Sequence, residues 1–171
     1  MDIDSTKQWR YCIPLAEADL DQRLRGLLDF WAAKRGQRRF LSRADINPLE
    51  LRHLLGHILL VDVVRQADRP SRFRYRLFGT EFVHYHGADQ TGRWLDEIGL
   101  PGFREELLRL YTAVAEEGVM RSLTYDYTIA EGVQRFQALL LPLSGDGQVV
   151  DMVFGCGVPV ETPASAKRWQ G

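Results

Sequence analysis

Hydrophobic and polar positions alternate most regularly at residues 72–77, where the chain reads RFRYRL. Phe73, Tyr75 and Leu77 alternate with three arginines, and a period of two predicts a strand with one buried face. The alternation stops at Gly79, and aromatic residues and histidines follow it. We therefore expect the strand to end there and the chain to turn sharply off the sheet.

A second hydrophobic run, HILLVDVV, lies upstream at residues 57–64. It is apolar and β-branched, which predicts a strand buried on nearly both faces. The polar segment RQADRPS separates the two runs, so a hairpin is predicted over residues 58–79. Before this hairpin, Asn47 is suited to cap a short helix that begins at Pro48 and ends near Gly56.

An amphipathic helix is predicted before these strands, from Asp19 to the glycine of the KRGQRR segment. Two interpretations of its apolar stripe stay open. The helix packs on its own domain, or it packs on a second copy and forms a homodimer. The stripe residues recur at spacings of three and four, and they are Leu20, Leu24, Leu27, Leu28 and Trp31.

The second half of the chain predicts short helices followed by three strands. TEFVHYHG favours two helical turns with Thr80 as cap and Gly87 as the end, and residues 101–118 form the clearest helix. Three strands follow, MRSLTYDYTI, VQRFQALLLPL and VVDMVFGCGVPV, with turns at AEG and SGDGQ. This order predicts an α+β fold, a five-stranded antiparallel sheet with short helices over one face and an N-terminal helical extension.

The expected organisation is an N-terminal extension over residues 1–38, one domain over 39–160 and a loose tail over 161–171. The chain has 171 residues, 45% hydrophobic, with a formal net charge of −1. Such a balance gives no reason to expect a nucleic acid or membrane partner. The N-terminus shows no secretory signal, and Cys12 and Cys156 have no metal or redox spacing. We therefore expect a cytoplasmic protein with reduced thiols.

Motifs of catalysis and metal binding are weak in this sequence. No GxSxG, HExxH or phosphate-loop pattern is present, which favours a non-catalytic protein. Asp62 lies inside an apolar strand and would need a partner such as Arg74 or Arg76, so a structural ion pair is expected. His53 and His57 have a metal-ligand spacing, but Gly56 interrupts the helix and no third ligand is evident. We expect no metal site; whether these histidines, or His84 and His86, bind anything stays open.

Two segments resemble the PAS sensor-domain family. They are YRLFGTEFVHYHGADQTGRWLDEI, residues 75–98, and DINPLELRHLLGHILLVDVV, residues 45–64. The resemblance covers about residues 40–158 and is to a bacterial branch found largely as small stand-alone proteins. It includes a strand that ends at a glycine, a short helix and a G-x-x-x-x-G turn, here Gly87 to Gly92. The resemblance implies a PAS-like fold and a role in bacterial signalling.

In PAS relatives the ligand lies in an apolar cavity between sheet and helices, so the resemblance also implies a set of lining residues. The cofactor stays unknown: GADQTGRWL lacks the cysteine of covalent flavin sensors, and no histidine follows His86 to serve as a haem ligand on the long helix. The predicted ligand-binding residues are Phe73, Tyr75, Leu77, Phe82, Tyr85, Trp94, Phe103, Leu107, Tyr111, Tyr125, Phe136, Leu140 and Phe154. Leu123, Tyr127, Ala138, Met152, Cys156 and Ile98 are further candidates.

Three hypotheses about function follow from the sequence. The first is a non-catalytic sensory and protein-interaction module that binds a small ligand and passes the signal to an unidentified partner protein. The second is a small-molecule enzyme of a cone-shaped α+β fold, which would need an inward-facing catalytic Asp or His. The third is a ligand-free adaptor whose core is filled. The first hypothesis depends on one geometric expectation, that the hairpin at 58–79 joins the same sheet as the last three strands.

Overall fold

A computed structural model describes residues 9–99, 101–129 and 132–161, apart from the side chains of residues 9–12 and 129. The strands are β1 (Trp9–Pro14), β2 (Ile58–Gln66), β3 (Arg69–Phe78), β4 (Arg121–Ile129), β5 (Gly132–Leu143) and β6 (Met152–Val160). The α-helices are α1 (Gln22–Arg35), α2 (Thr80–His86) and α3 (Pro101–Glu117). Short 3₁₀ helices span Glu17–Asp19, Arg43–Asp45, Pro48–His57 and Leu95–Glu97. The predicted loose tail lies, beyond residue 161, outside the described residues.

The strands form a single antiparallel sheet in the order β1-β4-β5-β6-β2-β3. The decisive contact is between β2 and β6, where Leu60 pairs with Phe154. It joins the early hairpin to the last three strands, so the predicted α+β architecture is confirmed. The sheet has six strands, one more than predicted, because β1 pairs with β4. Trp9, Tyr11 and Ile13 occupy alternate positions in this segment, a pattern too short to predict a strand by itself.

Helices cover both faces of the sheet and create two separate cores. On the first face, α2 and α3 pack on side chains such as Phe73, Tyr75 and Tyr125. On the second face, α1 and the Pro48–His57 helix pack on side chains such as Leu141 and Phe154. The sheet is therefore the middle layer of the fold.

The apolar stripe of α1 lies in the second core of its own chain. The Trp31 ring lies 5.2 Å from the Phe154 ring, between centroids. This burial supports the interpretation in which the helix packs on its own domain, although Leu28 of the stripe is only partly buried. The homodimer itself stays a prediction. The buried stripe residues are Leu20, Leu24, Leu27 and Trp31.

Helix ends follow the sequence signals with one exception. Asn47 Oδ1 accepts a hydrogen bond from the Leu49 amide at 3.1 Å, which confirms it as a cap, although the helix that follows is 3₁₀. Gly87 ends α2 with a φ of 81°. Thr80 was predicted to cap α2, but it is the first helical residue, and Gly79 takes the cap position without a side chain.

Gly79 is required by a close backbone approach. A Cβ atom there would lie 2.3 Å from the Gly56 carbonyl oxygen and 2.7 Å from that of Ile58. Its φ of −59° is open to any residue, so the expectation that the turn itself demands glycine is wrong. The corner between β3 and α2 packs against the end of the Pro48–His57 helix, and only a residue without a side chain fits there.

Candidate ligand-binding site

A cavity of about 170 Å³ lies between the first face of the sheet and the short helices. The strands contribute aromatic, aliphatic and small groups, and α3 contributes part of the opposite wall. The aromatic lining residues are Tyr75, Phe78, Phe82, Phe103, Tyr111, Tyr125 and Tyr127. The aliphatic and small ones include Leu59, Leu107, Leu123, Ala138, Leu140 and Gly155. The cavity lies where the resemblance implied one.

Most of the predicted lining residues lie in this core, and about half reach the cavity itself. Three of them, Phe73, Tyr85 and Phe136, belong to the core without lining the cavity. The Tyr85 ring packs edge-on against Phe136, with 4.9 Å between centroids. The predicted residues that do line the cavity are Tyr75, Phe82, Phe103, Leu107, Tyr111, Tyr125 and Leu140.

Leu77 was predicted to face the cavity, but its side chain is 42% exposed. The pairing of β2 with β3 shifts between Leu60, which pairs with Leu77, and Val61, which pairs with Tyr75. Arg76 is therefore an extra residue in β3, a β-bulge that exchanges the two faces of the strand. Phe78 enters the core in place of Leu77.

Trp94 and Phe154 were also predicted to line the cavity, and both lie elsewhere. Trp94 is half-buried and stacks under the Arg72 guanidinium, 4.1 Å from the ring centroid. Phe154 points to the second core. The sequence could not reveal this, because β6 is apolar on both faces and alternation does not show which residues face which helix. The further candidate Met152 lies there too. The glycine next to Phe154, Gly155, faces the cavity instead.

Three polar side chains in the lining were not predicted: His86, Gln90 and Arg93. The His86 ring is surrounded by aromatic rings, and its centroid lies 4.4 Å from that of Tyr127. The sequence signal that could have identified Gln90 and Arg93 is the G-x-x-x-x-G turn from Gly87 to Gly92, which contains Gln90 and directly precedes Arg93. These residues give an otherwise apolar cavity the means to orient a ligand.

Gln90 lines the cavity, and its side-chain oxygen is buried behind that lining. Its Nε2 donates a long hydrogen bond of 3.4 Å to the Ala88 carbonyl oxygen. Its Oε1 is shielded from solvent, and no group among the described residues donates a hydrogen bond to it. A buried carbonyl oxygen without a donor costs on the order of 1–3 kcal/mol.

The turn that carries Gln90 is fixed to the edge of the sheet. The Gly92 amide donates to the Tyr75 carbonyl oxygen at 2.7 Å, and the Tyr75 amide donates to the Arg93 carbonyl oxygen at 3.0 Å. Tyr75 itself lines the cavity. One residue of β3 thus holds the turn through its backbone and contacts the cavity through its ring.

Burial controls the ionisation of two groups close to the cavity. It raises the pKa of Tyr75, so the phenol stays neutral at physiological pH. It also raises the pKa of the Cys156 thiol to about 12, which keeps the sulfur protonated and a poor nucleophile.

Asp62 forms the predicted structural ion pair. Its carboxylate lies 2.8 Å from Arg76 Nε and 3.6 Å from Arg74 Nη2. The side chain is on the face of β2 opposite to Val61 and Val63, both of which belong to the first core, so it faces away from the cavity. It is not placed to act as the inward-facing base that the enzyme hypothesis requires.

His53 and His57, which have a metal-ligand spacing in the sequence, do not lie at the cavity. His57 Nδ1 lies 3.1 Å from the Gly157 carbonyl oxygen, which ties the end of the 3₁₀ helix to β6. His53 is exposed. Within residues 9–99, 101–129 and 132–161, no group of three or more His, Cys, Asp and Glu side chains is placed to hold a metal ion.

In the same ranges no helix is long and apolar enough to cross a bilayer.

Comparisons with known proteins give a family model and a solved structure. A family model described as "PAS domain" matches residues 21–158. A solved structure, "Structure of an RNA-binding Light-Oxygen-Voltage Receptor", matches with a TM-score of 0.42 and 18% identity. The match covers 92% of this chain and 39% of that one, so the chain spans well under half of that protein. A search of curated proteins gives no match.

Proposed function

The chain belongs to the PAS-domain family, and we propose that it is a non-catalytic sensory module that binds a small ligand in the cavity of the first face. PAS domains are typically sensory domains without catalysis. Ligand binding would be passed on to a partner protein. The bacterial and cytoplasmic setting and the homodimer are predictions from the sequence that accompany this proposal.

The observation that carries the proposal is the cavity itself, whose largely apolar lining includes the polar residues His86, Gln90 and Arg93. A core that merely fills space has no reason to keep a polar side chain beside a void. Apolar walls with a few convergent polar groups are the usual character of small-molecule sites. The combination supports a ligand-binding role over a filled adaptor.

A route for the signal runs through the turn at residues 87–94. Its inner side supplies Gln90 and Arg93 to the cavity. Its last residue, Trp94, lies under two arginines. The Trp94 ring centroid is 4.1 Å from the Arg72 guanidinium and 5.6 Å from that of Arg74. Arg72 in turn pairs with Asp96 at 2.7 Å. A ligand that moved or stabilised the turn would change this exposed cluster, which a partner could detect as a shift between two populations.

The experiment compares the native chain with Ala138→Leu, a substitution that places extra carbon atoms in the cavity. Both proteins are incubated with the small-molecule fraction of a bacterial extract, separated from unbound compounds and measured by native mass spectrometry. We expect a bound small molecule on the native chain and none on Ala138→Leu. Hydrogen exchange should also slow in residues 80–99 of the native chain alone, because the ligand stabilises the turn.

The proposal is wrong if both proteins stay free of ligand and exchange at equal rates. That outcome would favour the adaptor with a filled core, since the cavity would then be a packing defect. Incubation with chromogenic ester and phosphate substrates tests the enzyme hypothesis in the same samples. Turnover that Ala138→Leu abolishes would contradict the non-catalytic assignment.

A further inference from the structure

We propose that the ligand is an uncharged, single-ring aromatic compound with an oxygen-containing substituent that hydrogen-bonds the hydroxyl group of Tyr75. This inference rests on the proposed function, because it specifies the chemistry of the ligand in the same cavity. It is carried by the size of the cavity, the residues of its floor and walls, the charge of its lining and the Tyr75 hydroxyl.

The size of the cavity limits the buried part of the ligand to about one ring. Its volume is about 170 Å³. An apolar cavity of about 150 Å³ is large enough to hold benzene. Fused systems of three rings and tetrapyrroles exceed this space, so they would require the walls to move apart.

Two small residues on neighbouring strands create the space. Ala138 of β5 and Gly155 of β6 both line the cavity. Gly155 pairs with Leu140 on one side and with Leu59 on the other, so the glycine interrupts a row of leucines across the sheet. Because Gly155 has no side chain, the floor is low there. A flat apolar ring fits over such a floor.

The walls also favour a flat ligand. The rings of Tyr75 and Phe78 pack edge to face, with an interplanar angle of 86°. Phe103 packs against Tyr125 in a similar manner, at 70°. All four line the cavity. Aromatic rings in such walls offer both faces and edges to a further ring, at a gain of about 0.5–1.5 kcal/mol for each pair beyond the area buried.

The charge of the lining favours an uncharged ligand. The described lining includes one arginine, Arg93, and no aspartate, glutamate or lysine. Arg93 is exposed, so its charge is hydrated and does not face the ring-lined interior. An ion that entered the interior would lose its hydration shell without gaining an opposite charge, which is costly.

The hydroxyl group of Tyr75 supplies the polar contact. Tyr75 lines the cavity and is 3% exposed. No group in the described part of the chain hydrogen-bonds its hydroxyl, and this oxygen, unlike Gln90 Oε1, is not fully shielded from water-sized molecules. Burial raises the pKa of Tyr75, so the group stays a neutral O–H. A carbonyl or hydroxyl on the ligand would complete its hydrogen bonding, and a bare hydrocarbon would not.

The test measures binding to the full-length chain by isothermal titration calorimetry with two matched pairs of probes. Benzamide and benzoate have similar shapes and differ in charge, whereas phenol and toluene differ in the hydroxyl group. We expect phenol and benzamide to bind. Benzamide should bind at least roughly tenfold more tightly than benzoate, the ratio that corresponds to about 1.4 kcal/mol.

Tyr75→Phe assigns the polar contact, because it keeps the ring and removes only the hydroxyl. Phenol and benzamide should bind this variant several-fold more weakly, and the affinity for toluene should stay within about twofold. If Tyr75→Phe fails to fold, a crystal structure of the native chain with phenol decides the point. The phenol oxygen should then lie about 2.8 Å from Tyr75 Oη.

Benzoate that binds the native chain as tightly as benzamide would overturn the inference. So would toluene binding without phenol binding, or an equal loss of toluene and phenol affinity in Tyr75→Phe. In each case, binding that Ala138→Leu abolishes would still support the proposed function. If no probe binds, the inference fails, and the mass measurement above decides the proposed function by itself.

Discussion

The two faces of the sheet carry cores that differ in composition and in the way they are closed: the first core is rich in Phe and Tyr, and the second is mostly aliphatic. On the second face, α1 spans 14 residues and lays a continuous apolar stripe on the strands. On the first face, the seven-residue α2, a glycine turn and α3 cover the strands in separate pieces, and a cavity lies beneath them. On the second face α1 and the Pro48–His57 helix close the core together, whereas the covering segments of the first face leave a cavity between them and the strands. The second face is thus a filled core, and the first contains the cavity of the proposed ligand site.

The largest effect is expected on the filled face. Leu27 lies on the buried side of α1 and is almost fully buried. Leu27→Ala should lower the free energy of unfolding by about 3–5 kcal/mol, because the surrounding core cannot collapse into the space left. Urea denaturation followed by circular dichroism measures this. A loss below about 1 kcal/mol would show that the second core is loosely packed and would remove the contrast between the faces.

The matched substitution on the cavity face is Leu107→Ala, also a leucine on a helix that packs against the sheet. We expect it to cost about 2 kcal/mol, at the low end for such changes, since Leu107 already borders a void and has fewer contacts to lose. The same denaturation experiment measures it. A cost equal to that of Leu27→Ala would mean that the cavity wall is packed as tightly as the second core.

Adding volume should be tolerated on the cavity face. A Cβ on Gly155 would lie 3.3 Å from Leu59 Cβ and 3.4 Å from Leu140 Cδ2, and Leu140 can move toward the cavity. Gly155→Ala should therefore change stability by less than about 1 kcal/mol while weakening ligand binding several-fold. Thermal unfolding and calorimetry together measure both effects. Unchanged ligand affinity would exclude this wall from the site.

Asp62→Asn separates a structural ion pair from a functional carboxylate. Its partner Arg76 is 58% exposed, so the pair should contribute less than about 1 kcal/mol. Ligand binding should be unchanged, because Asp62 does not line the cavity. Stability and affinity are measured as for the other variants. A large loss of affinity without a loss of stability would revive the enzyme hypothesis.

The smallest effect is expected when acid protonates Asp96 in the exposed cluster of Arg72, Trp94 and Asp96. A hydrogen bond from Arg72 lowers the pKa of Asp96 below its usual 3.8. The contribution of this pair to stability is therefore complete above pH 3.8 and is lost as the pH falls through the lower folded-state value. We expect the fluorescence of Trp94 to change over that range in the native chain, and not in Asp96→Asn. The same titration curve in both proteins would show that Asp96 does not control the stacking of Arg72 on Trp94.

The sequence predicted the structure correctly where a hydrophobic pattern was compatible with a single arrangement of the chain. The alternation of Phe73 and Tyr75 identified a core face, and the order of strands and helices was enough to predict the sheet. The resemblance added the position of the cavity. Leu77 was assigned to the wrong face because a β-bulge is a property of pairing between two strands, and one strand alone does not show it.

Other features could not be predicted because they depend on contacts distant in sequence. Phe154 lies in a strand that is apolar on both faces, so alternation carries no information about its direction. Strand β1 is recognisable only from its pairing with β4. Gln90 looked like an ordinary turn residue, and its role depends on the backbone bonds that hold the turn against Tyr75.

Xenon binding in crystals tests the central claim most directly, because xenon enters dry apolar cavities and is located by its anomalous scattering. The account predicts a xenon site between Tyr75 and Tyr111 in the native chain, and its loss in Ala138→Leu. A xenon site beneath α1, between Trp31 and Phe154, with none between Tyr75 and Tyr111, would contradict it.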